Sequence, residues 1–127
     1  MKRALILLLG GCVAAAGPLL LAQSNPFGDA ARGKEVYQRR CAGCHALDKN
    51  LEGPILRNVF GRTAGTVKDF EYSAAVKKSQ LIWNEETLDK WLTDPDKLVP
   101  GNNMGFRVVK PQERLDLIRF LRVGTSN

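Results

Sequence analysis

One histidine, His45, stands in 127 residues, with only three cysteines and two methionines beside it. That scarcity excludes much. No second imidazole is available for a histidine-based relay, and once Cys12 is set aside with the apolar N-terminal run, Cys41, Cys44 and His45 fall one short of a closed four-ligand zinc site. No stretch alternates convincingly as a strand would, and neither a repeat nor a low-complexity segment occurs. The cations are scattered rather than clustered, which makes nucleic acid a poor partner. The length suits one domain and leaves little room for a second.

What is present begins with a leader. Lys2 and Arg3 precede an uncharged, largely apolar run from Ala4 to Ala22, which ends at Gln23-Ser24-Asn25-Pro26. A basic start, an apolar run and a small residue at a polar boundary read as an export signal over residues 1–22. A buried helix of the domain itself is the competing reading, but Gly10-Gly11, Gly17 and Pro18 interrupt the run and no polar face orients it. Two further fates stay open. The 19 residues from Ala4 to Ala22 just reach the length of an uncleaved membrane anchor, and Leu9-Gly10-Gly11-Cys12 resembles a lipoprotein signal. Export implies a periplasmic or membrane-anchored protein, with the domain over residues 26–127. Beyond residue 22 there are 17 cations against 13 anions, a net +4. That excess is compatible with acidic protein surfaces or anionic headgroups.

Cys12 lies in the leader, which leaves Cys41-Ala42-Gly43-Cys44-His45. C-x-x-C-H is the signature of c-type haem attachment. Two thiols three residues apart on one tight turn can each add to one haem vinyl group, and the adjacent imidazole is then carried to the iron. Gly43 gives the clearance that close approach to a porphyrin needs. A thioredoxin-like dithiol would need a strand before the first cysteine, and none is apparent. A plain disulfide would leave the position of the only histidine unexplained.

Along the chain, Asp29 is a candidate N-cap for a helix over Ala30–Arg40. An irregular stretch from Ala46 to about Tyr72 is longer than an ordinary loop. Wrapping a chain around a flat cofactor requires such a stretch. A short helix is expected over Ser73–Lys78. Another follows Asn84, with Glu85 and Glu86 in its dipole-favoured first turn. It carries Leu88, Trp91 and Leu92 on one face and stops before Asp94-Pro95. Pro100 to Gly105 form a turn-rich loop, and a last helix runs from Pro111 to near Gly124. The class is all-α.

Iron held by His45 has a second axial position. With no other histidine and with Met1 in the leader, Met104 is the remaining candidate, and methionine is a common cytochrome ligand. Its ordinary alternative is a gap-filling core residue.

The sequence resembles a class I cytochrome c, close to the mitochondrial type and its bacterial relatives, from Gly28 to Arg122. The resemblance rests on ordered motifs: Gly28-Asp29 with Gly33 and Tyr37, Cys41 to His45, Gly53-Pro54, Phe60-Gly61-Arg62, Phe70 to Ser73, Trp83, Pro100-Gly101 with Met104, Phe106, and Arg114 to Leu121. It implies a fold of a few helices and long loops around one covalently bound haem. Gly33 and Tyr37 are implied to cross Leu117 and Phe120. Pro54 is implied to accept a proton from His45, and Arg62, Tyr72 and Trp83 to bind the haem propionates. Four residues depart from the mitochondrial pattern: Val76 for an asparagine, Trp91 for a tyrosine that bonds the methionine sulfur, Asn102 for a threonine and Arg57 for a histidine. The loop from His45 to Gly53 is also shorter.

With both axial positions filled by protein, the expected function is electron transfer between redox proteins by a monomer that is not an enzyme. Two other readings stay open: a haem enzyme or gas sensor with an open sixth position, and a subunit permanently docked to a dehydrogenase or oxidase. The resemblance places Arg39, Arg40, Arg107 and Lys110 around an exposed haem edge. Attraction to an acidic partner is therefore expected, weaker than in strongly basic cytochromes, with Lys78 away from that edge.

Overall fold

The computed structural model describes residues 25–125, so the leader, with Cys12 and Met1, lies outside the described residues. The order is α1 (Ala30–Arg40), α2 (Ala74–Ser79), α3 (Glu85–Thr93), α4 (Pro95–Leu98) and α5 (Pro111–Val123). Each start has a local cause. Asp29, Ser73 and Asn84 accept from the N–H groups of Arg32, Val76 and Thr87, which satisfies donors the first helical turn leaves open. At Asn84 the bond is reciprocated, since Thr87 Oγ1 accepts the Asn84 N–H at 2.9 Å. Pro111 occupies the first turn of α5, where a missing N–H costs nothing. The helix expected to end at Asp94-Pro95 does end there, but Asp94 then caps a further turn, α4, with Pro95 in its first position.

α1 and α5 cross at close range. A Cβ on Gly33 would overlap the carbonyl oxygen of Asp116 and crowd Phe120, so only glycine lets the backbones meet. Beside the crossing Tyr37 and Phe120 pack with ring centroids 5.6 Å apart. The implied crossing of Gly33 and Tyr37 with Phe120 is therefore observed. The contact is also polar. Asp116, 3% exposed, accepts from Arg32 Nε at 2.8 Å, Arg32 Nη2 at 2.9 Å, the Asp29 N–H at 2.8 Å and Gln112 Nε2 at 3.0 Å. A buried carboxylate is tolerated only when so paired.

Among the described residues the only β pairing is an isolated antiparallel bridge between Thr63 and Ile82. It belongs to a short ladder in which Gly61 N–H donates to Trp83 O, Trp83 N–H to Arg62 O and Ala64 N–H to Leu81 O. The ladder folds the long irregular stretch back against the segment before α3. The core of Val36, Val59, Val76, Trp83, Leu88, Leu92, Val108, Leu117, Ile118 and Leu121 gathers these elements. No described helix is long and apolar enough to cross a membrane.

Candidate haem site

α1 runs directly into the attachment segment. The N–H groups of Cys41 and Ala42 both donate to Tyr37 O in its last turn, and Cys44 and His45 N–H then bond back to Cys41 O at 3.0 and 2.9 Å. That turn brings Cys41, Cys44 and His45 into the wall of one cavity of about 410 Å³. The two thiols are not joined to each other. Burial pushes the Cys41 thiol up to about 11, against the lowering influence of Arg40. A protonated, buried thiol is a poor nucleophile, the opposite of a redox-active dithiol. Nor do three or more His, Cys, Asp or Glu residues cluster as metal ligands among the described residues.

His45 is held from three directions. Its Nδ1 donates to the Pro54 carbonyl at 2.8 Å, which leaves Nε2 with the lone pair. Burial holds the imidazole below its ordinary pKa, partly offset by that Pro54 bond, so it is neutral near pH 7. A Cβ on Gly53 would overlap the ring, so the backbone presses against the imidazole. Finally Tyr37 Oη donates to the His45 carbonyl at 3.0 Å. The implied Pro54 contact is present, and the Tyr37 hydroxyl adds one that the helix pattern did not suggest.

Met104 lines the same cavity. Trp91 Nε1 donates to its Sδ at 3.1 Å, so the residue that replaces the family's tyrosine donates to the same sulfur. Asn102, in place of a threonine, accepts the Met104 N–H on Oδ1 at 2.7 Å. These two departures from the mitochondrial pattern both supply hydrogen bonds to the methionine. Val76 does differ in kind, adding a buried apolar wall where the family carries an amide.

Arg62, Tyr72 and Trp83 also meet in this wall. Arg62 donates to Ile55 O at 2.8 Å and Arg57 O at 3.1 Å. Desolvation pulls its pKa down, with Tyr72 pushing the other way. Trp83 packs on Trp91 with centroids 5.3 Å apart, and Tyr72 meets Phe70 edge-on at 4.7 Å. The rest of the wall is largely aliphatic, including Leu56, Val59, Leu92, Leu117 and Leu121. An aliphatic cavity with two thiols, an imidazole, a thioether and a guanidinium in its wall fits a haem. The cations expected at its edge are present but paired: Arg40 with Glu113 at 3.0 Å, Lys110 with Glu113 at 3.7 Å, Arg39 with Glu35 at 3.4 Å and Arg107 with Asp94 at 2.8 Å. Of the four only Arg40 lines the cavity, and Lys78 lines a separate shallow groove with Leu98 and Pro100.

Comparison with known proteins agrees. The cytochrome c family model matches residues 30–124. Cytochrome c 2.1 of Caenorhabditis elegans is 46% identical over 104 residues, which cover 80% of this chain and 94% of the relative. Cytochrome c of Chlamydomonas reinhardtii is 43% identical over 105 residues, covering 80% of this chain and 94% of the relative. The solved structure of cytochrome cH from Methylobacterium extorquens superposes with a TM-score of 0.71 at 40% identity, covering 75% of this chain and 98% of that one. This chain belongs to the class I cytochrome c family, haem proteins of electron transfer that carry one covalently attached haem c.

Proposed function

We propose that this chain is a single-haem electron shuttle of an exported compartment, periplasmic or held at the membrane by its N-terminal segment. In this reading residues 1–22 are the export signal or anchor and residues 26–127 the haem domain. Cys41 and Cys44 carry the haem, His45 and Met104 ligate the iron, and Arg62, Tyr72 and Trp83 bind the propionates. The haem supplies one-electron exchange between ferrous and ferric iron. The chain keeps both axial positions filled, so external ligands are refused and the protein acts as a monomeric carrier rather than an enzyme.

The observation that carries the reading is the pair of buttressed ligands on one cavity, His45 bonded to Pro54 and Met104 bonded to Trp91. Its partners are redox proteins, with acidic docking surfaces the proposed match. The internal pairing of Arg39, Arg40, Arg107 and Lys110 keeps that attraction weak.

Two measurements on the mature protein test the assignment. Intact mass under denaturing conditions should retain the haem, and a chain without it would end the reading. Ferrous wild type should refuse CO while Met104→Ala binds it and has a lower potential, because thioether ligation favours ferrous iron. Ready CO binding by the wild type would favour the open-site enzyme or sensor instead.

A further inference from the structure

The loop that carries Met104 has little regular structure of its own. Among the described residues, Asn102 N–H donates to Val99 O at 3.1 Å and the next backbone–backbone bond is from Val108 N–H to Leu92 O at 2.8 Å. Between them side chains do the fastening. Before Met104, Asn102 Nδ2 donates to Val99 O at 3.0 Å and to Asp96 Oδ1 at 3.2 Å, while Oδ1 holds the Met104 N–H. After Met104, Arg107 Nη2 reaches Asp94 Oδ1 at 2.8 Å and Asp96 Oδ2 at 3.4 Å. Asp94 is itself fixed, because it caps α4 by accepting the Lys97 N–H at 3.2 Å. It also directly follows α3, the helix that bears Trp91.

We propose that Asp94, Asp96, Asn102 and Arg107 form a clamp that sets how readily Met104 leaves the iron. The proposal rests on the reading of Met104 as a ligand. Both flanks of the methionine are tied to a single turn of helix, and that turn continues from the helix holding the sulfur. Swinging the thioether away therefore breaks the clamp without opening the core. Such a local opening has its own free energy, separate from that of global unfolding. Each ion pair is partly exposed and weak alone, but a network on a capped turn holds its members in place. These four are positioning residues.

The experiment uses the ferric holoprotein and neutral imidazole as the external ligand, with the association rate as the readout. Arg107→Ala and Asp96→Asn should each speed imidazole binding about threefold to tenfold. They remove charges of opposite sign, so a common acceleration reports the clamp and not the local field. Arg107→Lys should recover most of the wild-type rate. Arg39→Ala, which breaks the remote pair with Glu35, should leave the rate unchanged. Wild-type rates in both clamp variants, alongside fast binding by Met104→Ala, would overturn the clamp and leave ligation standing. A Met104→Ala rate equal to wild type would instead remove the ligation reading. Equal acceleration in Arg39→Ala would show general loosening and would also overturn the clamp.

Discussion

Cys41, Cys44 and His45 follow α1 without a break, and the backbone that buttresses His45, at Gly53 and Pro54, comes only eight and nine residues later. Met104 instead sits on a loop whose support comes from α3, α4 and side chains on either side of it. The histidine side is thus built by local sequence and by a helix crossing closed with backbone contact. The methionine side is assembled from separate elements by side-chain hydrogen bonds. A contact between backbones admits almost no adjustment, whereas a side-chain clamp can open. Under the proposed ligation, His45 would be the permanent ligand and Met104 the exchangeable one.

The largest expected effect breaks the rigid side. Gly53→Ala would drive a methyl group into the His45 ring, and overpacking of this kind typically costs about 1–3 kcal/mol. We expect a lower unfolding midpoint together with a disturbed haem spectrum. Wild-type stability in that variant would mean the imidazole has room to move, and the contrast between the sides would weaken.

Next comes the helix crossing behind the histidine. Asp116→Asn should cost about 2 kcal/mol near pH 7, since hydrogen bonds to a buried charged group are worth roughly 1.5–3 kcal/mol. Burial pushes the Asp116 pKa up, but Arg32, the Asp29 N–H and Gln112 outweigh it, and the net shift is downward. A depressed folded pKa stabilises the protein above the unfolded value of about 3.9 and loses that contribution as pH falls through the folded one. Denaturation curves of wild type and Asp116→Asn should therefore converge below about pH 4. A gap that persists into acid would assign the cost to packing instead of charge.

On the methionine side a single bond gives a smaller signal. Trp91→Phe removes the N–H that Met104 Sδ accepts while keeping an aromatic ring beside Trp83. Loss of a donor leaves the sulfur richer in electrons, which favours ferric iron. A hydrogen bond of about 1 kcal/mol corresponds to a potential lower by about 40 mV. A redox titration decides it, and an unchanged potential would show that the bond positions the sulfur without tuning it.

The same contrast governs what the sequence made legible. C-x-x-C-H, the caps at Asp29 and Asn84 and the proline that opens α5 are short-range patterns, and they foretold α1, α3, α5 and the histidine side. Three features escaped. α4 was hidden because Pro95 reads as a stop, although a proline in the first position of a new turn is equally well placed. Asp116 carried no signal of its own, since its partners Asp29 and Arg32 lie more than 80 residues away. Trp91 and Asn102 stood only as departures from the mitochondrial pattern, with no hydrogen bond assigned to either. An indole N–H and a carboxamide can supply the same bonds, but only the placed side chains reveal it.

The smallest effect concerns docking, where the two sides share a rim. Arg40 borders the cavity beside Cys41, and Arg107 and Lys110 follow Met104. Each is matched by a carboxylate of the same chain, Arg40 and Lys110 by Glu113 and Arg107 by Asp94. A partner at a distance sees the sum of these charges, so little long-range attraction survives. Two unit charges about 10 Å apart in water interact by roughly 0.4 kcal/mol, and ~0.1 M salt screens over a similar distance. Reversal at Arg40 changes the charge by two units, so Arg40→Glu should slow electron transfer to an acidic partner about two- to fourfold at low salt. The slowing should fade as salt rises. Lys78→Glu, on the separate groove, should slow it less. The measurement is the bimolecular rate against ionic strength. Equal slowing by both variants would leave only net charge at work, and a rate insensitive to salt and to Arg40→Glu would remove electrostatic docking altogether. A steep salt dependence in the wild type would mean that the internal ion pairs yield to the partner on contact.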